Sequence, residues 1–134
     1  MTAHLLIVDD EEPALSMMRA LLEQKRFDVT TARDGLEAME KIQGRKPDLI
    51  LLDVMMPDLD GYQLCDLLKK NPEYKNIPII IITAKSQKKD IFWAREKGAD
   101  EYLIKPVDPD ALLKTIHKLL EEKKDSSKEA SSPL

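Results

Sequence analysis

DLILLDVMMPDLDG, residues 48–61, is the stretch that decides how this chain folds. A nearly unbroken apolar run reaches Asp53 and then gives way to Pro57, Asp58, Asp60 and Gly61, residues that favour turns and caps. A short run without alternation reads as a strand covered on both faces, as in a parallel sheet between helical layers. Working outward, HLLIV (4–8) and IPIIII (77–82) have the same character, whereas FDVTT (27–31) and EYLI (101–104) are weaker and read as edge strands.

Segments of helical period separate these runs. Pro13 suits a first helical turn, because it has no N–H to leave unpaired, and Leu15, Met18, Leu21 and Leu22 then form a stripe. Asp34 is placed to cap a helix that ends at Gly44, with Leu36, Met39 and Ile42 expected inward. Asp60 is placed to cap Gly61–Lys70, with Leu64, Leu67 and Leu68 on one face. Ile91, Ala94 and Gly98 mark a fourth helix, and Pro109 opens a fifth that carries Leu112, Leu113, Ile116, Leu119 and Leu120. Five βα units with right-handed crossovers give a doubly wound α/β sheet, and the flavodoxin-like strand order 2-1-3-4-5 fits weak outer strands. The expected domain is 1–123. Residues 124–134, without aromatics or periodicity, are expected to be a disordered tail or linker stub.

Composition narrows the function classes. The chain has 134 residues, 43% apolar and 34% charged, which suits one globular domain. A net charge of −4 argues against direct nucleic-acid binding. No apolar run approaches the roughly 20 residues that span a bilayer, and the first residues meet acids too soon to read as a signal peptide. Cys65 is the single cysteine; a small buried hydrophobe is its expected role, and a reduced cytoplasmic setting fits it.

Ligands of open α/β sheets bind beyond the carboxyl ends of the strands. Asp9, Asp10, Glu11 and Glu12 follow the first strand, Asp53 the third, Thr83 the fourth and Lys105 the fifth. Gathered carboxylates repel one another, so a proton or cation must neutralise at least one. Hard oxygen ligands without His or Cys suit Mg²⁺ rather than zinc. With a hydroxyl and an ammonium at hand, the matching chemistry is phosphoryl transfer onto a carboxylate.

LLIVDDEEP, LILLDVMMPDLDGYQLC, IPIIIITAKS and GADEYLIKP each resemble the matching segment of receiver domains of bacterial response regulators, and the likeness covers about residues 4–121. The resemblance implies that Asp53 accepts the phosphoryl group and that Asp10, Asp9, Asp53 and the Met55 backbone carbonyl hold Mg²⁺. It further implies that Thr83 and Lys105 bind the phosphoryl oxygens and that Tyr102 turns inward on activation. It implies a cis Lys105–Pro106 bond, and side chains at Met55 and Lys85 that flank the path of attacking water, with the apolar Met55 lengthening the phosphoryl lifetime. The implied donor is a sensor histidine kinase or a histidine phosphotransfer protein. The implied output is an unknown domain or protein, with a phosphorylation-linked dimer among the arrangements it allows. Such a chain catalyses only its own phosphorylation and dephosphorylation. The alternative is a receiver-like docking module that is never phosphorylated. A haloacid-dehalogenase-type enzyme would need DxDxT after the first strand, and a flavin-binding flavodoxin a Ser/Thr/Gly-rich loop there; DDEEP supplies neither.

Other polar residues read as structural. Glu11 and Glu12 suit the helix dipole, and His4 and His117 lack catalytic partners at useful spacing. Trp93 and Phe92 fall partly off the apolar face of the fourth helix, where they either cap the edge of the core or offer a docking surface. The resemblance implies that output partners bind a face of the fourth helix, fifth strand and fifth helix, and Trp93 is expected to join it.

Overall fold

The computed structural model describes residues 2–54, 61–85 and 87–130, with side chains described as far as Lys123. Strands β1 (His4–Val8), β2 (Asp28–Ala32), β3 (Leu49–Leu52), β4 (Ile79–Thr83) and β5 (Glu101–Ile104) alternate with helices α1 (Glu12–Gln24), α2 (Gly35–Gly44), α3 (Gly61–Lys70), α4 (Lys88–Glu96) and α5 (Pro109–Ala130). The strands form one parallel sheet in the order β2-β1-β3-β4-β5. The expected doubly wound topology is therefore the observed one, with the two weakly apolar strands at its edges.

Strand side chains point alternately to the two faces, and each face has its own core. Leu6, Val8, Ile50, Leu52, Ile79 and Ile81 pack under Ala38, Ile42, Leu64, Cys65, Leu68 and Ala94 of α2, α3 and α4. Leu5, Ile7, Leu49, Leu51, Ile80 and Ile82 pack under Leu15, Leu22, Leu112, Ile116 and Leu119 of α1 and α5. Double coverage is why β1, β3 and β4 are apolar throughout apart from His4 at the start of β1 and Thr83 at the end of β4.

Pro13 lies in the first turn of α1, and Asp34 caps α2 by accepting from Glu37 N at 2.8 Å. Two inward assignments are corrected. Leu36 is 63% exposed and Leu67 is 52% exposed. At about 100° per residue, Leu64, Cys65 and Leu68 fix the buried face of α3 and turn Leu67 off it; Ala38 and Ile42 do the same to Leu36 on α2. The backbone of α5 is helical as far as Ala130. Lys, Glu and Ala favour helix, and neither Gly nor Pro interrupts the chain between Pro109 and Pro133. Asp60, the expected cap of α3, lies outside the described residues.

Candidate functional site

The sheet ladder itself positions the acids. Asp9 N donates to Ala32 O at 3.0 Å and Asp53 N to Val8 O at 3.0 Å, so pairing continues one residue beyond β1 and β3. Lys105 N donates to Thr83 O at 2.9 Å, which extends β5 in the same way. These residues belong at once to the rigid sheet and to the crevice at its end.

Asp9 and Asp53 are each only 7% exposed, Thr83 is fully buried, and Asp10 faces solvent. One carboxylate oxygen from each of Asp9, Asp10 and Asp53 lies within 4.8 Å of the others. The Lys105 ammonium donates to Asp9 Oδ2 and to Asp53 Oδ2, each at 3.0 Å. Burial works against the charge on Lys105, but hydrogen bonds and attraction from both acids outweigh it and raise its pKa. Asp9 Oδ1 also accepts from Glu11 N at 3.0 Å, which fixes its carboxylate plane at the start of α1.

Three carboxylates face one ammonium, so the cluster carries an excess of negative charge. The donors are all hard oxygens, partly desolvated, with neither His nor Cys in the group. That donor set fits Mg²⁺, which takes one or two carboxylates and keeps open positions for phosphate oxygens.

Residues 5–117 match the family described as the response regulator receiver domain. The chain belongs to that family. This response regulator receiver is 41% identical to Protein PilH of Pseudomonas aeruginosa over 118 residues, covering 88% of this chain and 98% of PilH. It is 43% identical to the alkaline phosphatase synthesis transcriptional regulatory protein PhoP of Bacillus subtilis over 109 residues, covering 81% of this chain but only 45% of PhoP. Among solved structures it resembles the chemotaxis response regulator CheY4 of Vibrio cholerae, with 32% identity, a TM-score of 0.83, and coverage of 89% of this chain and 99% of that one. The receiver thus matches both proteins of its own length and the receiver portions of longer ones. Receiver domains are signalling modules that bind Mg²⁺ through acidic residues and work with histidine kinases or phosphotransfer proteins.

The receiver brings together Asp9, Asp10, Asp53 and Lys105, and it places Thr83 one strand away at the end of β4. Thr83 Oγ1 accepts from Lys85 N at 3.4 Å. The Lys105–Pro106 peptide is cis. Tyr102 packs its ring against the core under α3 and α4, and its hydroxyl donates to Lys85 O at 2.8 Å. Met55, whose carbonyl the resemblance gives to the metal, lies outside the described residues. Trp93 is 52% exposed and Phe92 56%, and their rings meet edge to face at 5.7 Å. Trp93 therefore stands clear of the core.

His4 is buried in a packing role, with Nε2 2.7 Å from Thr30 Oγ1. Cys65 is buried as expected, and burial pushes its thiol up to about 12, which makes it unreactive. Two contributors escaped the sequence reading. Gly61 lies against the Asp53–Val54 backbone, and Tyr62 reaches the first turn of α4. The glycine was visible in the DLDG turn, but only the folded chain shows what it abuts.

Proposed function

We propose that this receiver is a phosphorylation switch whose acceptor is Asp53, charged by a phosphohistidine of a sensor kinase or phosphotransfer protein. The observation that carries the reading is the Lys105 ammonium bonded at 3.0 Å to the buried carboxylate of Asp53 on the central strand, with Asp9 and Asp10 beside it. A buried carboxylate on a rigid strand, beside a fixed cation and facing the open end of the sheet, suits an in-line nucleophile.

A carboxylate oxygen of Asp53 attacks phosphorus, and the P–N bond of the donor breaks with its electron pair returning to the imidazole nitrogen. The new P–O bond gives an acyl phosphate. Asp9 and Asp10 would hold Mg²⁺ with Asp53, and the Met55 carbonyl would complete the set. When bound, the metal neutralises charge on the phosphoryl oxygens. Lys105, already oriented by two acids, donates to one phosphoryl oxygen, and the Thr83 hydroxyl donates to another. The acyl phosphate adds charge and acceptors at the strand end. Thr83 answers it, Lys85 moves with Thr83, and Tyr102 moves with Lys85, so the change reaches α4, β5 and α5. Exposed Trp93 and Phe92 belong to the partner surface that reads this change.

The receiver unit is taken as residues 1–123 and the setting as cytoplasmic. No helix among the described residues is long and apolar enough to cross a membrane. The test is intact mass after treatment with acetyl phosphate and Mg²⁺, wild type beside Asp53→Asn. One added phosphoryl group in wild type only is expected. No addition to wild type would refute phosphorylation, and equal addition to Asp53→Asn would refute the acceptor.

A further inference from the structure

Thr83 and α4 are joined by a short connection in which Lys85 is the hub. Its N–H donates to Thr83 Oγ1 at 3.4 Å, and its carbonyl accepts from the Tyr102 hydroxyl at 2.8 Å. Accepting from Lys85 occupies a lone pair of Thr83 and keeps the hydroxyl proton available for another acceptor, such as a phosphoryl oxygen. The position of Lys85 therefore sets what Thr83 can offer.

Tyr62, in the first turn of α3, also contacts this connection. Its hydroxyl donates to Asp90 O in the first turn of α4 at 3.2 Å. The Lys85 ammonium lies 5.9 Å from the centroid of its ring, within cation–π range. The rings of Tyr62 and Tyr102 pack against the same core cluster. Burial first, and then the neighbouring Tyr62 hydroxyl, raise the pKa of Tyr102, so its phenol stays neutral and able to donate. Asp90 further ties the turn together by accepting from Gln87 N at 3.2 Å. Tyr62 thus touches both ends of the segment that carries Lys85.

We propose that Tyr62 is a positioning residue of the phosphorylation switch, whose ring and hydroxyl hold Lys85 and the first turn of α4 where Tyr102 docks and Thr83 presents its proton. The proposal rests on the Asp53 reading above. It assigns to α3 an active part in the switch: α3 sets how readily the β4–α4 connection adopts the phosphoryl-binding arrangement.

Two measurements on Tyr62→Phe test it, with Tyr62→Leu removing the ring as well. The first is a ¹⁹F NMR titration with beryllofluoride, a phosphoryl mimic, in the presence of Mg²⁺. Loss of the hydrogen bond to Asp90 O predicts at least about five-fold weaker binding for Tyr62→Phe, and Tyr62→Leu should be weaker still. The second is amide hydrogen exchange in the ligand-free protein, where Tyr62→Phe should speed exchange in Lys85 and the first turn of α4. Thermal melts of all three proteins separate this from a purely structural role, which would lower the melting temperature and leave the affinity unchanged. Unchanged or tighter binding by Tyr62→Phe overturns the proposal, as does weaker binding with unaltered exchange. Wild type that fails to bind beryllofluoride would instead overturn the Asp53 reading, and the exchange comparison would still decide whether Tyr62 holds the segment.

Discussion

Gly61→Ala should damage both stability and phosphorylation, because the added carbon has nowhere to go. A Cβ at Gly61 would lie 2.6 Å from Val54 Cα, 2.7 Å from Asp53 O and 2.9 Å from Val54 Cγ1. Two of these three atoms are backbone and cannot swing aside. They are also tethered, since Asp53 N is bonded to Val8 O and Gly61 N donates to Val54 O at 3.3 Å. Overpacking commonly costs about 1–3 kcal/mol, and contact with pinned backbone places this case near the upper end. Better helix propensity of alanine returns at most about 1 kcal/mol, leaving a net loss of about 1–2 kcal/mol. With a urea dependence of about 1–3 kcal/mol per molar for a small domain, the unfolding midpoint should fall by about 1 M. Gly44→Ala is the internal control, because nothing lies within 4 Å of a carbon added there. It should be neutral or stabilising. The strain at position 61 is relieved by moving Asp53, so acetyl phosphate labelling should slow by about ten-fold or more, as expected when a nucleophile is misplaced by a fraction of an ångström. Urea melts followed by circular dichroism, and labelling followed by intact mass, measure the two effects. A Gly61→Ala midpoint within about 0.2 M of wild type, less than the roughly 0.3 M that the smallest net loss and the steepest urea dependence allow, would refute the reasoning.

Lys105→Met leaves the buried carboxylates of Asp9 and Asp53 without their ammonium, and in EDTA it should destabilise the receiver by about 1–3 kcal/mol. The cost stays below that of breaking a fully buried pair because the Lys105 side chain is 27% exposed. Millimolar Mg²⁺ should recover most of the loss, and a melt of the variant that is indifferent to Mg²⁺ would contradict the metal assignment. Burial foremost, then Arg45, lowers the pKa of His4 from 6.5, while Lys46, Asp28 and Asp48 pull it upward. Below 6.5 the unfolded chain therefore binds more protons at this site than the folded one, and the stability contributed by neutral His4 is lost as pH falls from there through the lowered folded value. His4→Gln should flatten the dependence of the urea midpoint between about pH 7.5 and about pH 5.5, and an unaltered slope would count against it. Asp34→Ala removes the bond to Glu37 N and should cost about 1 kcal/mol, read as a lowered midpoint without loss of labelling.

Much of the fold was legible because coverage by helices on both faces demands nearly continuous apolar residues in β1, β3 and β4, in runs too short for buried helices. The edge strands were legible for the opposite reason: β2 and β5 are only partly buried, so polar residues survive in them. Periodicity was less reliable at helix margins. Leu36 and Leu67 look like core residues by type, but a neighbour of similar spacing already filled the inward face.

The site divides along the same line. Sequence by itself determined which residues stand at the strand ends, because each follows an apolar run directly, and chemical type alone marked Asp9, Asp10, Asp53, Thr83 and Lys105. Only the tertiary structure decided that Lys105 bridges Asp9 and Asp53, residues far apart in the chain that meet through the order of the strands. It alone placed Gly61 against the backbone of Asp53 and Tyr62 against α4, since contacts between elements depend on how helices lie over the sheet. Composition and period are local properties, whereas a hydrogen bond across the sheet exists only once the chain has closed on itself.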